Sequence, residues 1–415
     1  MNLAWISIGA LVLAVVLSCT TTINVGVLSL ALAWAVGVYL GGMSVGAVLE
    51  GFPTPLLVTL IGVTLLFSIA ECNGTLARVT ARAVRLCRGN AGLLPIMFFF
   101  LGLIIATIGA GGTPASALLA PPAMAVAARA GISPILMVIM AGNGALAGTL
   151  SPFAPTGIVA HGVMARIGLP GVEWQTYAYN ALAHTIVGFG GFALLGGLRL
   201  FKRGGGIAVP VEPDAGVMET KHWLTLGSIG LLIIGVAGFG MDVGMTALTL
   251  AALLTLLRTV DENKAIRGMP WGVILMVTGV TVLVSILQKT QGLELITTAL
   301  ANISTASTVA PIVAFGSGIV SVYSSTSGVV LPAFLPMVPG IARSLGGIEQ
   351  LPVAWSMNVG ASLVDLSSLS TVGALFMAGV PAGTDTRRLF NALLIWGLSM
   401  SVVGAVLCWF MFGRG

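Results

Sequence analysis

The sequence predicts an all-α polytopic membrane protein with about ten transmembrane helices and two additional re-entrant helical hairpins. Of its 415 residues, 57% are hydrophobic and only 7% are charged, and the mean hydropathy is +1.06. Average soluble proteins carry roughly 25% charged residues, so this composition excludes a soluble globular enzyme. The apolar runs reach about 18 residues, a length that favours spanning helices over the strands of a closed barrel.

Ten apolar runs are predicted to cross the bilayer. They lie near 3–20, 23–40, 54–72, 134–162, 176–199, 222–240, 242–257, 270–289, 351–379 and 389–411. The first run is predicted to be a retained span, because Met1-Asn2-Leu3 lacks the basic segment that opens a signal peptide.

Two further apolar stretches, 93–128 and 309–342, are each interrupted near the middle by small and hydroxyl residues. The interruptions read GAGGTP at 109–114 and YSSTSG at 323–328. We interpret both stretches as re-entrant hairpins with polar tips. The alternative is a pair of full spans joined by a short loop. Either arrangement returns the chain to the side it came from, so the remaining topology is the same.

The order of elements repeats along the chain, which is typical of duplicated membrane folds. The tip segment 114–121 corresponds to 325–332, and 150–157 corresponds to 366–373. The predicted units are a first repeat at 1–199, a polar cytoplasmic linker at 200–221 and a second repeat at 222–415.

Charge indicates that the two repeats are inverted. With both termini outside, all but four of the 18 basic residues face the cytoplasm, as the positive-inside rule requires. The four exceptions are Arg166, Lys289, Arg343 and Arg414. The connector 74–90 carries four arginines, whereas its counterpart 292–307 carries none. The net charge of +5 therefore reflects topology, and no aromatic-interleaved basic patch indicates nucleic acid.

Two predicted spans are expected to be broken near the middle, the first because it cannot hold a continuous helix and the second by correspondence with it. The run 142–157 holds Pro152 and Pro155 among glycines, and its counterpart 358–373 concentrates hydroxyls. Non-helical backbone at membrane depth is tolerated only within protein or beside a wet cavity. Two broken spans facing two hairpin tips predict a midplane site, in which helix N-termini suit an anion and exposed carbonyls suit sodium. The alternative is that these small residues only permit close helix packing.

Asp365 is the only carboxylate near the centre of a predicted span. Burial of an uncompensated charge there costs several kcal/mol or more, so Asp365 needs a partner. With no Lys or Arg at its depth, a cation or a proton is favoured over the amides of the broken helix. The alternative is a protonated structural Asp bonded to hydroxyls. His161 and His184, in or near spans, are either proton carriers or satisfied packing residues.

The predicted site residues are those that carry hydroxyl, amide or turn chemistry in the two tips and the two breaks. For substrate they are Thr113, Pro114, Ser116, Asn143, Thr149, Ser151, Pro152, Ser324, Ser325, Thr326, Asn358, Ser367, Ser368 and Thr371. For the coupling cation they are Gly109, Gly112, Asn143, Ser324, Asn358 and Asp365.

Other chemistry is not indicated. The chain has no HExxH, GxSxG, P-loop or haem-ligand pattern, so we expect no enzyme activity and no cofactor apart from a coupling ion. The four cysteines, Cys19, Cys72, Cys87 and Cys408, lack metal-ligand spacing and are predicted to be free thiols.

The segments GAGGTPASALLAPPAMAVA and ISPILMVIMAGNGALAGTLSPFAPTG resemble the MatC-like malonate and dicarboxylate carrier family. This family belongs to the ion transporter superfamily that includes the INDY-type divalent anion/sodium symporters. The resemblance is clearest over 55–165, and the superfamily architecture covers nearly the whole chain. It implies a homodimer whose mobile transport domains move like elevators against fixed scaffolds. One departure is that both tips lack the Asn of the INDY-type Ser-Asn-Thr motif.

The resemblance implies a secondary active transporter in a bacterial-type inner membrane. We expect it to carry small organic anions, namely C3–C4 dicarboxylates such as malonate, by symport with sodium in preference to protons. The alternatives are a proton-coupled or exchange transporter of another anion and, from a different class, a passive anion channel. A channel needs a continuous polar path, whereas the polar residues here gather at one depth.

Overall fold

The computed structural model describes residues 3–21, 23–86, 90–201, 217–381 and 385–413. These residues form helices and connecting turns, with no strand among them, so the predicted all-α class is confirmed. Most of the predicted linker (202–216) lies outside the described residues, as do Cys87 and Arg88. Cys72 and Cys408 are free thiols.

The described part of the first half contains eleven α-helices. They are α1 (Leu3–Thr20), α2 (Val25–Trp34), α3 (Val45–Leu49), α4 (Thr54–Cys72), α5 (Thr75–Leu86), α6 (Leu93–Ile105), α7 (Gly112–Arg129), α8 (Pro134–Ala147), α9 (Pro155–Arg166), α10 (Glu173–Leu194) and α11 (Gly197–Leu200). Two of them, α2 and α6, continue as π-helical turns, at Ala35–Leu40 and Ala106–Ala110.

The described part of the second half contains another eleven α-helices. They are α12 (Thr220–Phe239), α13 (Val243–Leu256), α14 (Glu262–Gly268), α15 (Trp271–Lys289), α16 (Gly292–Asn302), α17 (Val309–Tyr323), α18 (Leu331–Phe334), α19 (Val338–Ser344), α20 (Gln350–Leu363), α21 (Thr371–Ala378) and α22 (Thr386–Phe412). A π-helical turn at Thr326–Val330 precedes α18, and a 3₁₀ turn at Leu335–Met337 follows it.

Four described segments are long and apolar enough to cross a membrane by themselves. They are Thr54–Cys72, Leu93–Ala110, Trp271–Lys289 and Thr386–Phe412. Several further apolar helices are shorter, including Leu3–Leu17 and Val309–Val322. The multi-pass character follows from these helices, whereas the count of ten spans and the re-entrant path of the hairpins remain predictions.

Several major helix contacts have a counterpart, in which the corresponding helices of the opposite halves pack together. α2 packs against α15, and α13 packs against α4. In the same way, α6 and α10 pack on α8, while α17 and α22 pack on α20. Corresponding helices therefore make corresponding contacts, as expected of a duplicated unit. Their opposite orientation in the bilayer remains a prediction.

The two hairpin turns differ in how the backbone reverses. In the first, Gly109 (φ 127°) and Gly111 (φ 79°) adopt dihedrals that favour glycine, and a side chain on Gly109 would collide with the Phe67 ring. In the second, Ser324 is extended and the Ser325 hydroxyl accepts a hydrogen bond from the Gly328 amide at 3.0 Å. Glycine dihedrals therefore permit the turn of the first hairpin, whereas the Ser325 hydroxyl caps the turn of the second.

The helix interruptions occupy equivalent positions in the two halves. α8 stops before Gly148 and α9 starts at Pro155, where a proline costs no helix hydrogen bond. α20 stops before Val364 and α21 starts at Thr371, with the Ser370 hydroxyl accepting from the Gly373 amide at 3.2 Å. Each half therefore presents a helix N-terminus at its break.

Two close helix crossings, that of α2 with α15 and that of α4 with α13, depend on glycine. Gly26 on α2 lies against Gly279 on α15, and Gly62 on α4 lies against Gly244 on α13. At each position, an added Cβ would overlap the backbone of the facing helix. Small residues let helix backbones approach closely, and the resulting packing stabilises helix pairs in lipid.

Replacing Gly279 with valine is expected to destabilise the protein by about 1–3 kcal/mol, because α2 and α15 would have to separate. Thermal unfolding in detergent measures this loss of stability. Gly227→Val on α12 is the matched control, since nothing lies within 4 Å of the Cβ that it adds. Equal unfolding temperatures for the two variants would contradict the crossing assignment.

Candidate functional site

Both hairpin tips and both helix breaks meet around one small cavity, which we call the central cavity. Its volume is about 60 Å³. The described residues that line it are Thr113, Leu146, Thr149, Thr156, Ser324, Ser325, Thr326, Ser327, Asp365, Ser370, Thr371 and Val372. Hydroxyl side chains therefore dominate the lining, and Asp365 is the single ionisable group in it.

Three helix N-termini reach the central cavity. Thr113, Thr156 and Thr371 lie in the first turns of α7, α9 and α21, respectively, and all three line the cavity. The first turn of a helix has free amide donors and the positive end of the helix dipole, so it favours anions. This convergence provides an environment in which carboxylate oxygens can be bound without a basic side chain.

Asp365 lies within a compact group of hydroxyls. Its Oδ1 accepts a hydrogen bond from Thr326 Oγ1 at 2.7 Å and a longer one from Ser321 Oγ at 3.4 Å. The two hydroxyls are 2.5 Å apart, and Thr326 Oγ1 also lies 3.3 Å from the Ala361 carbonyl oxygen. No described basic side chain forms an ion pair with Asp365. The described hydrogen-bond partners of the Asp365 carboxyl group are therefore hydroxyls alone.

Some predicted residues have polar atoms that are buried without a protein partner. One of them is Ser324 Oγ, and Ser324 lines the central cavity. Ser116 Oγ, Asn358 Oδ1 and Ser368 Oγ are others, but these residues do not line the cavity. Ser324 is thus the predicted residue whose hydroxyl is both unpartnered and adjacent to the space that a ligand would occupy.

Other predicted residues support the breaks from outside the central cavity. The Ser151 hydroxyl donates to the Thr107 carbonyl at 2.6 Å and accepts from the Phe153 amide at 3.2 Å. Ser367 Oγ accepts from the Leu369 amide at 3.3 Å. Pro152 lies in the first break without lining the cavity. Gly109, Gly112 and Pro114 line a neighbouring cavity.

A buried histidine joins the two broken helices. His184 on α10 contacts Asn143 Oδ1 on α8 through Nδ1 and Ser362 Oγ on α20 through Nε2, each at 2.9 Å. The Asn143 amide nitrogen donates to the Ile139 carbonyl, so its oxygen is the acceptor and His184 Nδ1 carries the proton. His184 Nε2 then accepts from Ser362. Both polar atoms of Asn143 are engaged here, away from the central cavity, and its predicted ligand role remains a prediction.

Sequence reasoning missed several residues that shape the site. Thr156, Ser327 and Ser370 line the central cavity, and Ser321 completes the hydroxyl group at Asp365. Asn180 on α10 donates to the Leu146 and Ala147 carbonyls at the end of α8, at 3.0 and 3.3 Å. Ser370, directly before a helix start, had a readable capping signal. No sequence signal indicated the role of Asn180, because Asn180 lies on a different helix from the carbonyls that it binds.

The comparisons with known proteins agree with these features. Residues 1–149 match the sequence model of the family described as dicarboxylate carrier protein MatC N-terminus, which confirms the resemblance over that segment. A solved structure with a similar fold is that of the YdaH transporter of Alcanivorax borkumensis, whose title describes an unusual topology. It is 18% identical, with a TM-score of 0.63, and the match covers 91% of this chain and 89% of that chain. No curated protein sequence matches this chain.

At this level of identity, the structural match concerns the fold of the chain. The family match concerns its first 149 residues. Together the two findings show a resemblance to dicarboxylate carriers over residues 1–149 and a fold similar to that of a solved transporter over most of the chain.

Truncating the bridging histidine tests its structural role. His184→Ala is expected to cost about 2–5 kcal/mol, because it leaves Asn143 Oδ1 and Ser362 Oγ without partners and opens a cavity. Thermal unfolding in detergent is the measurement. His161→Ala is the control, since His161 Nε2 is buried without a hydrogen-bond partner among the described residues. A larger loss in the control would argue against the bridge.

Proposed function

We propose that the protein is a secondary active transporter that moves a small organic dianion across the bilayer by alternating access, with a coupled cation. The observation that carries the proposal is the lining of the central cavity. It combines three helix N-termini, which attract an anion, with one carboxylate, which repels it. An anion therefore binds well there only when the charge of Asp365 is compensated.

The size of this effect is large enough to enforce coupling. Two unit charges about 4 Å apart repel by about 4 kcal/mol at an effective dielectric constant near 20. That energy corresponds to about a thousandfold in affinity. A cation at Asp365 converts the repulsion into attraction, so anion and cation bind together and move together. This is the thermodynamic requirement for symport.

Sodium is the favoured cation because the atoms near Asp365 are hard oxygen ligands. Thr326 Oγ1, Ser321 Oγ and the Ala361 carbonyl surround the carboxylate. Main-chain carbonyls near Gly109–Gly112 and Val322–Ser324 supply further oxygens in the proposal. No group of three or more His, Cys, Asp or Glu side chains occurs among the described residues, so the site offers a single carboxylate, as suits a monovalent ion.

A dicarboxylate of three or four carbons is the proposed substrate. The small volume of the central cavity, about 60 Å³, favours a short acid, and the family description of residues 1–149 names dicarboxylate carriers. In the proposal, Thr113 and Thr149 hydrogen-bond one carboxylate while Ser324, Ser325 and Thr371 bind the other. Malonate follows from the sequence resemblance and is the first acid to test.

The proposed architecture is ten spans and two re-entrant hairpins in two inverted repeats, with both termini outside a bacterial-type inner membrane. The corresponding helix contacts of the two halves support the proposed duplication. The elevator motion and the homodimer come from the family resemblance. In this arrangement, α2, α4, α13 and α15 belong to the scaffold, while the tips and broken helices move with the substrate.

Transport in liposomes tests the proposal. Purified protein is expected to accumulate labelled malonate or succinate when an inward sodium gradient is imposed, and to stop when the gradient is abolished. Protein-free liposomes are the control. Uptake driven only by a pH gradient would assign the coupling to protons, the second candidate, which the hydroxyl-bonded Asp365 also suits. Uptake indifferent to both gradients would refute symport and favour a channel or exchanger.

Removing the carboxylate charge tests the coupling residue. Asp365→Asn is expected to abolish the ion dependence of transport, because an amide neither repels the anion nor binds a cation strongly. Initial uptake rates across a sodium series measure the change. The control is Asp261→Asn, which keeps the α14 cap at an exposed position. An Asp365→Asn protein with the sodium dependence of the wild type would exclude Asp365 from coupling.

A further inference from the structure

A second cavity of about 110 Å³ lies beside the central one, and we call it the vestibule. It is enclosed by the C-terminal half of α4, the first hairpin tip and the connection from α14 to α15. The vestibule and the central cavity share Thr113, Thr156 and Ser327 in their linings. These three residues therefore border both spaces.

The vestibule reaches the protein surface at the end of α4. Glu71, in the last turn of α4, lines the vestibule and is exposed. The nearby connector helix α5 carries Arg78 and Arg82, and Lys264 and Arg267 lie on α14. Such a concentration of basic residues marks the cytoplasmic side. The vestibule thus lies between the surface at this end of α4 and the central cavity.

Glu71 is the only ionisable residue in the described lining of the vestibule, which contains no Lys or Arg. No described side chain forms an ion pair or hydrogen bond with its carboxylate. Another carboxylate near this end, that of Glu219, is already compensated. Glu219 lies 2.9 Å from Lys221 and 3.6 Å from Arg78, and the hydrogen bond with Lys221 is the main reason that the pKa of Glu219 is lowered.

The corresponding helix of the second half ends with different charges. α15 ends at Lys289, whose Nζ lies 3.0 Å from Glu50 and 2.7 Å from the Ala47 carbonyl oxygen. Counted from the helix end, Gln288 stands where α4 has Glu71. The unpaired acid is therefore specific to the end of α4. Duplication of the fold does not account for it.

We propose that Glu71 recruits the coupling cation at the cytoplasmic mouth, so that it raises the apparent affinity of the protein for the cation on this side. This inference rests on the proposed cation-coupled transport. A dianion that approaches Asp365 through the vestibule first passes an uncompensated carboxylate, which a cation neutralises. An acidic group in a cleft with low-dielectric walls raises the local concentration of cations, and salt screens the effect.

The test measures sodium dependence separately from each side of the membrane, in liposomes with the protein in one orientation. Glu71→Gln is expected to raise the half-saturating sodium concentration on the cytoplasmic side by about threefold to tenfold at low ionic strength. The increase is expected to shrink as an inert salt is added. The value on the outer side should not change. Glu71→Asp keeps the charge and should resemble the wild type.

Glu294→Gln is the matched control, since Glu294 is an exposed acid on α16, the connector at the opposite side in the proposed topology. An unchanged cytoplasmic value in Glu71→Gln, with sodium-dependent wild type, would overturn the inference. An equal change from both sides would also overturn it, because the residue would then act on the central cavity. A wild type without any cation dependence would instead refute the proposed function.

Discussion

The structure depends on one constraint, which is that a helix interrupted inside a membrane must have its free amides and carbonyls enclosed by protein. Both breaks meet this requirement through contacts from other helices. Asn180 binds the last carbonyls of α8, and Ser151 returns to the Thr107 carbonyl near the first tip. The first turns of the following helices line the central cavity instead, through Thr156 and Thr371. The groups left for a ligand are therefore donors, which explains why an anion suits the site.

The bridging histidine explains how two interrupted helices keep a constant separation. Each break weakens the direct connection between its helix halves, so the spacing must come from elsewhere. His184 on α10 contacts one residue from each repeat at equal distances of 2.9 Å. Because both ring nitrogens are engaged in a neutral tautomer, the contact is short and directional. Such a link favours movement of both breaks as one body, which is what alternating access by domain displacement requires.

In the proposed mechanism, the carboxylate of Asp365 controls what the central cavity accepts. Asp365 occupies the second break, whereas the corresponding position of the first break is Thr149. The symmetry of the fold is thus not carried into its electrostatics. The same holds for the helix ends, where α4 has an unpaired Glu71 and α15 has a paired Lys289. The two halves therefore share corresponding helix contacts but carry chemically different residues at equivalent positions.

The sequence by itself determined the all-α class, the approximate ends of long helices and the positions at which helices stop. The run 54–72 coincides with α4, because hydrophobic length sets a span and is read locally. Pro152 and Pro155 predicted the first break for a similar reason, because the missing amide donor of proline is a local property of that residue. The polar tips were equally visible as interruptions in apolar runs.

Only the tertiary structure decided which polar residues face the central cavity. Asn143 and Ser367 were chosen with Thr149 and Thr371, yet the first pair binds neighbouring protein groups and the second pair lines the cavity. Sequence position cannot distinguish them, because the direction of a side chain at a helix break depends on non-helical dihedrals and on helices far away in the chain. The partnership of His184 with Ser362, separated by 178 positions, arises only when the two halves pack together.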